Sequence, residues 1–350
     1  MNSFLELLRT KNTVGRQVFL VLLILATTVL LSTCNSDSNP SDTTDTSDQE
    51  STSTSTLNST TDTTIPAETD SLSFLPDPQN WAASLHIDSK DYPRVDGSTA
   101  TLPLGIYMRA KLTGETLEQS ETFTLFTRTN NAWLDIAYGE ADLLIVYEAA
   151  EETKRSIDES GTELKIAPIG RDALVFLANA GNPVDNLSHQ QIVDIYTDKI
   201  TNWKEVGGTD TPIVAHQRPD TSGSQALMEK LVMQGTSLSA APSVQKPSEM
   251  GELIDSVAEY NNEANALGYS VYYYVKNMYQ VPSIKLLSVD SIAPTDEMIA
   301  QQKYPYTNDF YVVIRANEPA DSPAHKIFDW LTGREGDKAI VDAGYVPVAK

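Results

Sequence analysis

Cysteine is nearly absent from this chain: 350 residues contain one, Cys34, alongside four histidines, His86, His189, His216 and His325. A single thiol excludes an intramolecular disulfide framework, a cysteine-built zinc site and an iron–sulfur cluster. The histidines are scattered, with no HExxH and no pair four residues apart, so a metal enzyme built on imidazole has no support and only carboxylates remain to hold calcium or magnesium. Positive charge is scarce as well. Lys and Arg number 25 against 48 Asp and Glu, for a formal net charge of -23, and no basic run is long enough to neutralise a phosphate backbone. Nucleic-acid binding is therefore unsupported. The uncharged stretch Val18–Leu31 has fourteen residues, short of the roughly 20 that a membrane span needs. The 40% of residues that are hydrophobic supply buried cores for one large domain or two ordinary ones.

The N-terminal region reads as an export signal. Arg9, Lys11 and Arg16 outweigh Glu6, and the apolar stretch that follows ends in Leu31-Ser32-Thr33-Cys34. That ending resembles the lipobox of bacterial lipoproteins, which implies cleavage after residue 33 and lipid on Cys34, anchoring the chain to the extracytoplasmic face of the cell membrane. Thr33 departs from the smaller residue usual before the cysteine, and an ordinary signal anchor with an incidental cysteine is the alternative. Asn35–Asp70 holds nineteen Ser and Thr, six Asp and two Glu, with no Lys or Arg. Such a composition cannot bury enough apolar area to offset the cost of ordering, so residues 34–71 are expected to form a disordered acidic tether.

From Leu72 the pattern becomes globular, and strand-like and helix-like runs alternate. Strands are expected at Asp142–Tyr147, Ala173–Asn179, Pro212–His216, Gly268–Tyr274, Ile284–Leu287 and Phe310–Ile314. Helices are expected at Ser98–Leu112, Asn131–Tyr138, Ser222–Met233, Glu249–Glu259 and Ala324–Leu331. Ala173–Asn179 is almost wholly apolar in the manner of a buried parallel strand, and Ser188 with Gln191 forms a capping box ahead of Ile192. This order of elements predicts α/β layers.

Two segments carry the chemistry of anion binding. Asp96-Gly97-Ser98-Thr99 precedes one helix and Thr221-Ser222-Gly223-Ser224 another. Glycine lets the backbone approach a ligand, and free N–H groups at a helix start can point at an anion together with the hydroxyls. Plain helix capping accounts for the same residues without a ligand. Arg218, four residues before Ser222, brings a guanidinium fork that can bond two neighbouring oxygens, or else sits with Asp220 in a solvent-exposed loop.

These segments also resemble the phosphate-binding proteins of bacterial ABC uptake systems, within the type II periplasmic-binding-protein superfamily. The resemblance runs over Tyr92–Val348 through Val95-Asp96-Gly97-Ser98-Thr99-Ala100, Gly139-Glu140-Ala141-Asp142, the block Ala173–Gly208, Arg218–Ser224, Ala266-Leu267-Gly268-Tyr269, Tyr304-Pro305-Tyr306 and Gly344-Tyr345-Val346-Pro347. It implies two α/β lobes facing each other across a ligand cleft, lobe one at 72–168 and 269–350 and lobe two at 169–268. The chain would cross between them near Ile166–Arg171 and Leu267–Ser270.

The resemblance further implies a binding protein that captures inorganic phosphate or a similar oxyanion and delivers it to ABC permease transmembrane subunits, as a monomer without a cofactor. Its implied ligand contacts are Ser98, Thr99 and the Ala100 amide, Thr129, and Arg218 with Ser222, Gly223 and Ser224, while Asp220 orients the arginine. Many relatives end the strand after Asp142 with Ser-Asp or Ser-Arg beside the ligand, and there the aspartate can accept the proton of hydrogen phosphate. This chain has Val146-Tyr147-Glu148 instead, so Tyr147 is a candidate donor and Glu148 a candidate acceptor. Tyr272, Tyr273 and Tyr274 are expected near the cleft, at least one of them in the core. No histidine is near Ser222 or Ser224 in sequence and neither lies in a GxSxG elbow, which argues against an enzyme. A lipoprotein that senses or stores an oxyanion, or serves as a scaffold, stays open as the alternative.

Overall fold

The computed structural model describes residues 75–76, 84–241, 245–259 and 265–348. Cys34, the apolar stretch before it and the Ser/Thr-rich segment after it lie outside the described residues. No helix among the described residues is long and apolar enough to cross a membrane.

The fold is α/β and two-lobed, organised on one strand. β1 is Val95–Gly97, β2 Leu143–Val146, β3 Leu164–Asn179, β4 Asn186–Leu187 and β5 Val214–Ala215; β6 is Ala266–Val271, β7 Ile284–Leu286, β8 Ser288–Val289, β9 Thr307–Arg315 and β10 Val346–Pro347. The main sheet runs β1-β2-β9-β3-β6-β5, with β7 and β10 also on β3, and β4 pairs with β8 separately. β3 is sixteen residues long and changes neighbours along its length. It pairs with β9 from Leu164 to Ala173 and with β6 from Leu174 to Ala178.

The second half of β3 was expected to be parallel, but its partners β6 and β7 both run antiparallel. The residues Ala173–Ala178 are buried on both faces, and that burial produces a continuous apolar run whatever the direction of the neighbours. The first half mixes exposed and half-buried residues with buried Ile169 and Gly170, and Lys165, Pro168 and Arg171 interrupt it, so its composition carries no such run.

Helices cover the sheet. α1 is Leu102–Thr113, α2 Leu117–Thr122, α3 Thr129–Ala137, α4 Glu151–Ser160 and α5 His189–Tyr196; α6 is Gly223–Leu227, α7 Met250–Glu259, α8 Asp296–Ala300, α9 Pro323–Leu331 and α10 Arg334–Asp342. The capping box is present at α5, where Ser188 Oγ accepts from the Gln191 amide and Gln191 Oε1 from the Ser188 amide. The expected helix Ser222–Met233 is divided: α6 gives way to a π-helical stretch, Met228–Met233. β6 stops at Val271 rather than Tyr274, and Tyr272 and Tyr273 already turn helically, with Tyr273 in the core. α4 was not expected, because Ile157 is the one apolar side chain among its ten residues, and the buried pair Thr153 and Ile157, four apart, shows only once the fold is known.

Candidate anion-binding site

Two helix starts meet at one cavity. Its volume is about 120 Å³, less than half the ~300 Å³ at which sites for drug-sized ligands begin, so it suits a small ion. Ser98, Thr99, Ala100, Arg128, Thr129 and Tyr147 form one wall. Arg218, Thr221, Ser222, Gly223 and Ser224 form the other, joined by Ser248, Glu249 and Met250.

The first wall is built by close strand packing. A Cβ on Gly97 would stand 2.1 Å from the Ile145 carbonyl oxygen, so only glycine lets β1 approach β2 here. Thr101 Oγ1 donates to the Ile145 and Ser98 carbonyls at 2.5 and 2.9 Å and fixes the turn into α1. Ser98 does not cap that turn with its side chain. Its Oγ lies 2.8 Å from Thr129 Oγ1 and accepts from the Tyr147 amide at 3.0 Å. Asp96 reaches Thr127, accepting from its amide and hydroxyl at 2.7 and 2.6 Å, and so sets the loop that delivers Arg128. Arg128, not a Thr or Ser, is the N-cap of α3, with φ of 81°, a region that favours glycine. Its guanidinium reaches Glu249 on the other wall.

The second wall carries a buried charge. Arg218 is 5% exposed, and its amide donates to Gln225 Oε1 and the Tyr269 hydroxyl at 3.2 and 3.0 Å. Nη2 donates to the Ser248 carbonyl at 2.8 Å, while the buried Nε has no hydrogen-bond partner among the described residues. Burial holds the guanidinium below its ordinary pKa, yet arginine keeps its proton in proteins. A desolvated cation with an unmatched donor favours an anion beside it. Ser222, the N-cap of α6, makes no capping bond with its side chain; its Oγ lies 3.0 Å from Ser224 Oγ. The hydroxyls on both walls therefore line the cavity without being spent on their helix ends.

The walls touch. Asn130 Nδ2 donates to the Thr221 carbonyl at 2.8 Å, and Lys230 pairs with Glu148 outside the cavity. A Cβ on Gly223 would meet Thr129 Oγ1 at 2.4 Å.

Three expected contacts need correction. Glu148 does not line the cavity: Lys154, at 2.6 Å, and Lys230 hold it elsewhere. Burial raises its pKa, but those two hydrogen bonds outweigh burial and leave the carboxyl below its ordinary value. Tyr147 does line the cavity, but its hydroxyl donates to Asp172 at 2.6 Å rather than to a ligand position. Asp220 is exposed and makes no hydrogen bond to Arg218; the Ser248 carbonyl holds the guanidinium instead, while Gln225 and Tyr269 fix the Arg218 backbone amide. Sequence reasoning missed Ser248, Glu249 and Met250, at the start of the expected helix Glu249–Glu259 but without a glycine beside the hydroxyl, and placed Tyr272–Tyr274 where Val271 lines the wall. Among the described residues no group of three His, Cys, Asp or Glu is placed to hold a metal.

The PBP superfamily domain model matches residues 108–335, and the chain belongs to that superfamily. It is 29% identical over 195 residues to the phosphate-binding protein PstS of Bacillus subtilis (strain 168), covering 55% of this chain and 61% of that relative, less than two thirds of its length. It is 24% identical over 208 residues to the PstS of Borreliella burgdorferi, covering 58% and 72%. A Clostridium perfringens structure described as a phosphate ABC transporter substrate-binding protein with bound phosphate superposes with a TM-score of 0.56 at 26% identity, covering 73% of this chain and 98% of that one. An ABC-type phosphate transport receptor from Vibrio cholerae shares the fold, with a TM-score of 0.55 at 22% identity and coverage of 72% and 98%.

Proposed function

We propose that this chain is an extracytoplasmic solute-binding lipoprotein that takes inorganic phosphate into the cavity and delivers it to an ABC permease. The observation that carries the reading is Arg218, buried and with Nε unmatched, facing hydroxyls and helix starts from two walls. The names of the Bacillus and Borreliella relatives support phosphate as the ligand. Lipid on Cys34 would hold the chain at the membrane beside the permease, and the acidic tether would give the binding body reach.

We divide the lobes where β3 changes partner, at Ala173 and Leu174, and where β6 ends, at Val271, a few residues from the divisions expected from the sequence. Two crossings allow hinge closure, and a ligand touching both walls biases the closed state. A second reading, another tetrahedral oxyanion, is favoured by one observation: Glu148, the candidate proton acceptor, faces Lys154 and Lys230 instead of the cavity. A fully deprotonated oxyanion would meet no carboxylate at that position, and the carboxylate that does line the cavity, Glu249, is paired with Arg128.

Titration calorimetry of the ligand-free chain with phosphate, sulfate, arsenate and molybdate tests both readings. A charge-assisted hydrogen bond is worth about 1.5–3 kcal/mol, so Arg218→Ala is expected to weaken phosphate binding by about 10-fold to 150-fold. Unchanged affinity in a folded Arg218→Ala variant would place the anion elsewhere.

A further inference from the structure

Asp172 is a buried carboxylate that the cavity itself does not contain. It is 2% exposed and stands on β3 one residue before the pairing passes from β9 to β6. Three chain segments donate to it. The Tyr147 hydroxyl, from the first wall, reaches Oδ2 at 2.6 Å; the Ala173 amide, on β3 itself, reaches Oδ1 at 2.7 Å. The Tyr273 amide, two residues past the end of β6, reaches Oδ1 at 3.1 Å. No Lys or Arg among the described residues is hydrogen-bonded to Asp172. Burial pushes its pKa up to about 6 against these donors, and the nearby Asp296 charge acts in the same direction.

A second path returns to the cavity. The Tyr273 ring stacks on Tyr345 with centroids 3.5 Å apart, and the Tyr345 hydroxyl donates to the carbonyl of Ala100 at 2.6 Å, back on the first wall. A carboxylate buried without a cation costs stability that an apolar strand residue would not. Its three donors belong to the cavity wall and to the two places where the chain passes from one set of strands to the other.

We propose that Asp172 is a positioning residue for anion capture, tying the Tyr147 wall to both crossings so that a filled cavity and a closed hinge form one state. The proposal rests on the oxyanion reading. Asp172 touches no ligand position; it acts through Tyr147 and the Tyr273 backbone.

The test uses the full chain with inorganic phosphate as the probe, following affinity by calorimetry and compaction by small-angle scattering. Tyr147→Phe removes one hydroxyl whose bond goes to Asp172. Asp172→Asn keeps the size and an acceptor for the Tyr273 amide. Each is expected to weaken phosphate binding about 3-fold to 30-fold, the span of measured coupling effects, and to reduce phosphate-induced compaction. The double variant should lose no more than the weaker-binding single, because both changes act on one connection, Tyr147→Phe by removing the hydroxyl and Asp172→Asn by replacing its charged acceptor with a neutral amide. Losses that multiply, or variants that melt earlier yet bind and compact like the parent, would overturn the proposal and leave Asp172 a structural residue. A parent chain that binds neither phosphate nor any other oxyanion would overturn the oxyanion reading first, and this proposal with it.

Discussion

The two walls of the cavity use one local device, a small hydroxyl-bearing turn at a helix start, and differ in what remains for a ligand. On the wall from Ser98 to Tyr147 the Ser98 side chain is committed to Thr129 and to the Tyr147 amide, and the Tyr147 hydroxyl to Asp172. The cation on that side, Arg128, has a half-exposed side chain paired with Glu249. On the wall from Arg218 to Ser224 the cation is buried and Nε is unmatched. Shape comes from the first wall and charge from the second. In a chain of net charge -23 the binding charge therefore has to be local, shielded from the surrounding carboxylates by burial.

The largest expected effect on this division comes from forcing the walls apart. Gly223 opens α6 against Thr129, and an added Cβ would lie 2.4 Å from Thr129 Oγ1, an atom already held by Ser98. Overpacking costs about 1–3 kcal/mol, so Gly223→Ala should weaken phosphate binding roughly 5-fold to 150-fold. Adding Thr129→Ala should restore part of the loss by removing Oγ1, while the remaining Cβ, at 3.1 Å, still resists full approach. Calorimetry on the single and double variants measures this; parent-like affinity in Gly223→Ala would mean that the walls do not meet this closely around the anion.

Much of this contrast could be read from the residues because the chemistry is local. Gly97-Ser98-Thr99 and Ser222-Gly223-Ser224 mark helix starts by their residue types alone, and both segments do reach the cavity. What could not be read arrives from a distance in the chain. Ser248, Glu249 and Met250 reach the cavity only because α7 packs on β3 and β6. Asp172 gains its meaning from Tyr147 and Tyr273, far from it in sequence. One signal was present and unused: neighbours in extended chain point to opposite sides, so Tyr147 and Glu148, directly after β2, were poor candidates to face one cavity together. The interrupted first half of β3 and the strongly polar α4 were hidden for the same reason, since part-exposed elements carry no long apolar pattern.

A smaller effect should separate framework from ligand contact on the first wall. Ser98→Ala removes the oxygen that bonds Thr129 and leaves the buried Tyr147 amide without its acceptor. Loss of a buried acceptor costs about 1–3 kcal/mol of stability, visible as a lower midpoint in chemical denaturation of the ligand-free chain. The change in phosphate affinity should be smaller than for Arg218→Ala. If Ser98→Ala instead leaves stability intact and abolishes binding, the hydroxyl works on the anion and the first wall is no mere frame.

The smallest expected effect concerns an ion pair that spans the cavity. Arg128 and Glu249 are linked, but their side chains are 57% and 47% exposed, so water and salt screen the attraction. Pairs of this kind contribute about 0–1 kcal/mol. Glu249→Ala removes the only carboxylate lining the cavity among the described residues and frees Arg128 to turn toward the ligand. Phosphate affinity should then stay level or tighten by up to about 5-fold, and the gain should shrink as ionic strength rises. Arg128→Ala should weaken binding by a similarly modest factor, with a coupling in the double-mutant cycle that disappears at high salt. A coupling much larger than this, or one insensitive to salt, would mean that Arg128 is desolvated on closure and that both walls, rather than Arg218 alone, supply the charge that holds the anion.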